Sequence, residues 1–351
     1  MTGNLPQNIS TDGENHAAGL LLQPGGTPAG EGASTRFRRR RPAFWPYFAR
    51  RAACPQWFFL LAGHRRIVDH LRRGFRLNQA VLPAKIVYDL ASILKLSDDA
   101  FIVGGQALNL WAERYSHVAE LDAYGPYTSK DIDYFGQREA AEKLANALGG
   151  SVAIPNADNH TPQTAIVHAE IDGHPIEIDF LWHVMGVDDA KLKKQAIQIR
   201  MNVRMTEGTA ELHVPIMHPF HCLQSRLANV VQLKRETDLA LNQLNASPIV
   251  LREFLLEQLD NGQSKHVTGV LQALYDYLSS DIVGRKAHKH MRNDPSAILD
   301  TFQNDERLDE RWREKSLHSM RASLARKRTA WGIMTERIKE AFNRKRENAR
   351  S

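Results

Sequence analysis

Two pairs of acidic residues are the clearest candidates for chemistry in this sequence. Asp131 and Asp133 flank an isoleucine, and Glu177 and Asp179 repeat the same acid-apolar-acid pattern further along the chain. In a β-strand, residues two apart point to the same side, so each pair would present two carboxylates to one face. Such carboxylates repel each other, and hard oxygen ligands of this kind suit Mg²⁺, which also binds substrate phosphates. The pattern therefore predicts metal-dependent phosphate chemistry on neighbouring strands.

A glycine pair precedes these acids. Gly104 and Gly105 follow a short apolar run, and helical spacing resumes at Gln106. Glycines at a strand end let backbone amides approach a phosphate, and the N-terminus of the next helix attracts the same anion. A glycine pair alone most often only turns the chain. The order of glycine turn, paired-acid strand and second acid strand favours a site that holds nucleotide phosphates through metal ions and activates an attacking hydroxyl.

The acidic strands also have a structural interpretation. Alternating charges are typical of the solvent face of an edge strand, where they block aggregation. For Asp131 and Asp133 taken alone, both interpretations stay open. The residues before them are equally ambiguous, since Lys130 could contact a phosphate or pair with the aspartates, and Ser129 could be a strand-entry hydroxyl.

The elements that must position these residues alternate between helical and strand periodicity. Periodicity of 3.6 predicts helices, and alternation or short apolar runs predict strands. The predicted helices of the first half cover 84–94, 106–115, 139–148 and 190–201. The predicted strands cover 100–103, 131–135, 151–154, 164–171 and 174–182, with an alternating segment at 203–214. Asp172-Gly173 is a strong hairpin signal between the last two strands.

Composition divides the 351 residues into three predicted parts. Residues 1–76 hold a Gly/Pro-rich stretch and then arginines interleaved with aromatics, which predicts a disordered basic arm. Residues 77–215 form a predicted α/β (α+β) head with a mixed sheet, and residues 216–351 form a predicted helical domain. The net charge of +6 concentrates in the arm and the C-terminal helices, which favours an anionic partner such as nucleic acid. A solvated arm without a ligand is the alternative.

Several classes of protein fit the sequence poorly. Its two cysteines cannot form a disulfide framework or a cysteine-based zinc site. The sequence holds no apolar run of about 18 residues, and the polar N-terminus does not resemble a signal peptide. We therefore expect a cytoplasmic protein without a membrane partner.

The motifs resemble a known superfamily. The segments 101–108 and 129–135, followed by a later strand acid, are similar to the DNA polymerase beta-type nucleotidyltransferases, most closely to the AbiEii-type toxins, over about residues 84–260. The resemblance implies an NTP as donor and Mg²⁺ or Mn²⁺ as cofactor. It implies site residues at Gly104, Gly105, Ser129, Lys130, Asp131, Asp133 and either Asp179 or Glu177. We prefer Asp179 as the third acid because segment 178–181 is similar to the strand of the family.

Two further points concern this resemblance. The glycine and acid motifs lie closer together in the family, so residues 117–128 are interpreted as an inserted loop. Related enzymes carry basic residues near the nucleotide on the first helix of the C-terminal domain, where Arg226, Lys234 and Arg235 stand here. Charge patterning alone favours a solvated helix face for these three residues.

The sequence thus predicts an enzyme that moves a nucleoside monophosphate onto a hydroxyl acceptor. RNA, and tRNA in particular, is the expected acceptor because of the basic regions. The resemblance also suggests a toxin of a toxin-antitoxin or phage-defence system, with a cognate antitoxin as a partner. The alternatives are a catalytically inactive binding protein with the same fold, and a nucleotidyltransferase that acts on a small molecule such as an antibiotic.

Overall fold

The computed structural model describes residues 84–127, 131–156, 161–205 and 208–329, together with Met334 and Ile338. All of these residues belong to one compact unit. The predicted arm, 1–76, lies outside the described residues, as do the site candidates Ser129 and Lys130.

The described part is a mixed α/β structure followed by a run of helices, as predicted. Its strands are β1 Phe101–Val103, β2 Ile132–Phe135, β3 Ser151–Ala153, β4 Gln163–Ile171, β5 His174–Leu181, β6 Ile197–Met205 and β7 Gly208–Ile216. Its α-helices are α1 Ala84–Ala91, α2 Gly104–Arg114, α3 Ala119–Asp122, α4 Arg138–Leu148, α5 Asp189–Lys194, α6 Pro219–Val231, α7 Asp238–Asp260, α8 Ser264–Ser280, α9 Ala287–His290, α10 Ala297–Thr301 and α11 His318–Arg328. Short 3₁₀ turns at Leu96–Asp98 and Gly284–Lys286 and a π-helical turn at Trp312–Leu317 complete the order.

The strands form one seven-stranded mixed sheet in the order β3-β4-β5-β2-β1-β7-β6. Strand β2 lies at its centre, parallel to β5 and antiparallel to β1. All three residues of β1 are buried, as expected for a short apolar strand inside a sheet. Along β5, burial alternates, with Ile176, Ile178 and Phe180 inside and Glu177 exposed. This alternation turns the acidic residues of β5 away from the main core.

The hairpin between β4 and β5 is confirmed at Asp172-Gly173. Both residues have positive φ angles, 52° and 77°, which suit the two central positions of a tight hairpin turn. The turn sets the register in which β5 runs back toward β2.

One secondary-structure prediction is wrong. The predicted helix 190–201 ends at Lys194, and strand β6 begins at Ile197. From Ile197 onward apolar and polar residues alternate, and Ile199, Met201 and Val203 are buried while Gln198 and Arg200 are exposed. A period of two matches one face of a sheet, and the pairing with β7 over Ile197 to Met205 stabilises this strand.

The sheet and the C-terminal helices share one hydrophobic core. The buried Trp111 of α2 donates a hydrogen bond through Nε1 to the Met217 carbonyl oxygen, at 2.9 Å, and packs edge-on against Phe254 of α7. Nearby, the Tyr115 hydroxyl donates to Glu257 Oε2 of α7, at 2.6 Å. These contacts fix α6 and α7 relative to α2, the helix that begins at the glycine pair. The predicted change from sheet to helices at residue 216 coincides with the end of β7.

Helix α6 begins at Pro219. His218 is the N-cap, and its Nδ1 accepts a hydrogen bond from the Phe220 amide at 3.1 Å. The only cysteine among the described residues, Cys222, is buried and forms no disulfide bond. In the part of the chain that the structure describes, every helix is too short or too polar to cross a bilayer.

Candidate functional site

Three of the predicted site residues meet at the centre of the sheet. In the antiparallel β1–β2 pair, Val103 is the partner of Asp133, and in the parallel β2–β5 pair, Asp133 is the partner of Asp179. Gly104 follows Val103 directly and starts α2. The pairing therefore brings together the first glycine, the second acid of β2 and the acid of β5, although residues 106–130 separate the motifs in the sequence.

Both glycines lie in close contact with side chains from other elements. A Cβ atom on Gly104 would lie 2.5 Å from Asp133 Oδ2, and the φ angle of Gly104 is +73°. A Cβ atom on Gly105 would lie 2.8 Å from Gln243 Nε2 of α7. Both distances are shorter than side chains tolerate, so the glycines let Asp133 and α7 approach the start of α2. The pair begins the helix and does not form a separate turn before it.

The site raises the proton affinity of Asp133. Burial, together with the carboxylates of Asp179 and Asp131, raises the pKa of Asp133 to about 7, and the guanidinium groups of Arg226 and Arg235 oppose this rise. A carboxylate in this state gains from any nearby positive charge. The centre of the site therefore favours a cation.

Asp179 is held in place by the strand beside it. Gln163 of β4 donates a hydrogen bond through Nε2 to Asp179 Oδ1, at 2.7 Å. Glu177, the alternative third acid, points toward β4 as well, but its side chain is 51% exposed and lies 4.0 Å from His168 Nδ1. The structure thus places Asp179, and not Glu177, in register with Asp133.

Asp131 precedes β2 and is exposed. Its charge still reaches the site, since it contributes to the raised pKa of Asp133. Among the described residues, no three acidic, histidine or cysteine side chains lie close enough to ligate one ion together. Ser129 and Lys130, the predicted nucleotide contacts, fall outside the described residues.

Arg226 is a site residue that sequence reasoning placed wrongly. Charge patterning predicted a solvated helix face, but the Arg226 side chain is mostly buried and lines the same cleft as Asp133. Its Nη1 donates to Gln243 Oε1 at 3.2 Å, and Gln243 in turn donates to Asn109 Oδ1 at 3.1 Å. Within the described residues, the buried Nε of Arg226 has no acceptor. A buried guanidinium with a donor to spare is suited to an anionic ligand.

Gly104, Asp133 and Arg226 line a cleft of about 700 Å³. Gln163, which holds Asp179, and Arg235 are among its other polar residues. An aromatic residue, Trp182, lines the same cleft immediately after β5. Clefts of this size are typical of sites for small ligands and cofactors.

The acidic pair fits a hard divalent cation. Two adjacent carboxylates, one of them with a pKa raised to about 7, lose repulsion when a cation lies between them. Mg²⁺ usually takes one or two protein carboxylates and completes its shell with waters and phosphates. Asp133 and Asp179 would be those carboxylates here.

The described residues thus define a mixed α/β protein in which Asp133, paired with Asp179 on the next strand, lines one cleft with two arginines. Comparisons with protein-family models, with curated proteins and with solved structures found no match to this chain. Its function is therefore inferred from the geometry and charge of the cleft.

Proposed function

We propose that this protein is a metal-dependent nucleotidyltransferase that transfers a nucleoside monophosphate from an NTP to a hydroxyl acceptor. The proposal depends on one observation, the strand pairing that brings Asp179 beside Asp133, which lines the same cleft as Gly104 and Arg226. Phosphoryl transfer needs acidic side chains that hold a metal ion and also positively charged side chains that bind the phosphates. The motif resemblance to the DNA polymerase beta-type superfamily supports the same function.

Each residue has a defined part in this proposal. Asp133 and Asp179 hold a Mg²⁺ or Mn²⁺ ion, and Asp131 adds negative charge at the start of β2. The ion supplies charge neutralisation for the phosphates and activation of the acceptor hydroxyl. Arg226, whose Nε lacks an acceptor among the described residues, donates to a phosphate oxygen. Gln163 keeps Asp179 oriented toward the cleft through the 2.7 Å hydrogen bond.

The acceptor we propose is RNA, with tRNA as the leading candidate. The described basic helix α11 contributes less to this proposal than its sequence suggests, because Arg321 binds Asp300 and Arg328 binds Asp294. The basic arm lies outside the described residues. The proposal of an RNA acceptor therefore depends on the charge of the sequence. The proposal of a toxin with a cognate antitoxin depends on the motif resemblance alone.

The test is transfer of label from α-labelled NTPs. The full chain would be incubated with Mg²⁺, each NTP in turn and total bacterial RNA, beside Asp133→Asn and Asp179→Asn. Asp172→Asn is the matched control, because Asp172 lies exposed in the β4–β5 turn, where asparagine is equally suited. We expect the wild type and the control to label RNA, and each site variant to lose about 100-fold or more.

Other outcomes would redirect the proposal. Label transfer that survives in Asp133→Asn would contradict the assigned site. A folded wild type that binds NTPs but transfers no label to RNA or protein would favour the binding protein. Label on an added aminoglycoside, with none on RNA, would favour the small-molecule enzyme.

A further inference from the structure

The cleft also has an exposed aromatic residue that the proposed chemistry does not use. Trp182 lines the cleft with Asp133 and Arg226, yet 50% of its surface is exposed. A large apolar side chain that is half exposed in a charged cleft is unusual, since tryptophan is normally buried over most of its surface. Leu233, which is 39% exposed, lines the same cleft.

Trp182 is held by the same segment that orients the acidic site. Its backbone amide donates to the Pro162 carbonyl oxygen at 3.0 Å, and its indole Nε1 lies 3.4 Å from the Thr161 carbonyl oxygen. One residue later, Gln163 donates to the Asp179 carboxylate. The tryptophan and the acid are thus fixed to one short stretch of β4 and the residues before it. Such anchoring lowers the entropy that the indole would lose on contact with a ligand.

The cleft has a polar end and an apolar surface. Its polar end, at Asp133 and Arg226, suits phosphates and a divalent cation. Trp182, Asp133 and Arg226 line one cleft of about 700 Å³, a volume within the range of clefts that bind small ligands and cofactors. Such a cleft has room for a nucleotide with its phosphates at Asp133 and Arg226 and its base at Trp182. A flat aromatic surface stacks on any base, because every base has a π face.

We infer that Trp182 forms the stacking surface for the nucleobase of the bound nucleotide. The inference rests on the proposed function, because it takes the phosphates to lie at Asp133 and Arg226. Stacking of one base on an aromatic side chain contributes about 1–3 kcal/mol and discriminates little between sequences. Trp182 therefore gives affinity for nucleosides as a class, with larger purines favoured over pyrimidines.

The test compares nucleotides with a ligand that has phosphates and no base. Equilibrium binding of each NTP and of inorganic tripolyphosphate, all with Mg²⁺ and without acceptor, would be measured for the full chain. The variants are Trp182→Ala and Trp182→Phe. Leu239→Ala is the control, because Leu239 is a large apolar residue, 44% exposed, that does not line the cleft.

We expect Trp182→Ala to weaken NTP binding about 10- to 100-fold and to leave tripolyphosphate binding unchanged. Trp182→Phe should retain most of the affinity because it keeps an aromatic face, and Leu239→Ala should match the wild type. An equal loss for both ligands would overturn the inference, since it would mean a general disturbance of the phosphate site. Unchanged NTP binding in Trp182→Ala would also overturn it.

Failure of the subsite can be told apart from failure of the proposed function. Label transfer to an acceptor by the wild type, together with NTP binding that Trp182→Ala leaves unchanged, overturns the nucleobase subsite alone. NTP binding that depends on Trp182, in a protein that transfers no label to any acceptor, keeps the subsite and overturns the transferase.

Discussion

Replacing Asp133 with asparagine should stabilise the metal-free protein at alkaline pH and change its stability little in acid. The two side chains have nearly the same shape, but asparagine cannot ionise. Asp133 is mostly buried and faces Asp179 and Asp131, so its pKa rises from 3.8 to about 7. Between these two pH values, the folded state still holds a proton that the unfolded chain has already released. The free energy of unfolding therefore falls as pH rises from 3.8 to about 7.

The size of the effect follows from the two pKa values. Below about pH 4, Asp133 is protonated in both states and contributes no difference. Above pH 7 it is ionised in both, and the folded state holds a charge that burial and two neighbouring acids disfavour. A rise from 3.8 to about 7 corresponds to at most about 4 kcal/mol. Because Asp133 lines a solvent-accessible cleft, we expect about 2–3 kcal/mol.

The assay is urea unfolding in EDTA at pH 5 and pH 8.5. Asp133→Asn should gain about 1–2 kcal/mol over the wild type between these pH values, because pH 5 already lies inside the window from 3.8 to about 7. Asp172→Asn, in the exposed turn, should follow the wild type at both. Parallel pH profiles for the wild type and Asp133→Asn would refute the argument, because they would mean that Asp133 ionises with its ordinary pKa.

Two further pairs of substitutions test the packing of the site and the corrected strand. Gly104→Ala and Gly149→Ala both place a side chain at positive φ, 73° and 64°, but only the first brings a Cβ within 2.5 Å of a carboxylate. We expect each variant to lose about 1 kcal/mol of unfolding free energy in urea, and Gly104→Ala to lose about 1–2 kcal/mol more. Equal losses in the two variants would count against the close approach of Asp133 to Gly104. Ile199→Ala should destabilise by about 2–3 kcal/mol and Gln198→Ala by less than about 0.5, as strand β6 requires, whereas comparable losses at both positions would contradict that strand.

Local patterns were sufficient where neighbouring residues decide the structure. The apolar run of β1 and the Asp172-Gly173 turn specify their conformations within a few residues, and both are confirmed. The end of α5 was missed because its helical spacing continues through Leu192 and Ala196 into β6. What ends the helix is the pairing of Ile197 with Ile216 of β7, a contact between residues distant in the sequence.

Arg226 shows the same limit for the candidate site. Residues one turn away in α6, Cys222, Leu223 and Val230, are apolar and buried, which indicates a buried face, but the polar groups around Arg226 come from other elements. Gln243 lies on α7 and Asn109 on α2, and their hydrogen bonds shape the environment of the guanidinium. The sequence of α6 alone does not indicate which side chains will surround Arg226. Only the packing of α2, α6 and α7 into one core turns Arg226 toward Asp133.

The long interval between the glycine and acid motifs was the main departure from the expected pattern, and the sheet explains why it does not separate them. An antiparallel pair fixes which residues face each other whatever the length of the connection. The added residues, with α3 among them, lie outside the β1–β2 pairing, and Val103 still faces Asp133. Loop closure becomes only slowly less favourable with length, so such an insertion costs little stability. The motif order and the strand register, and not the spacing along the chain, therefore determine whether glycine and acid meet.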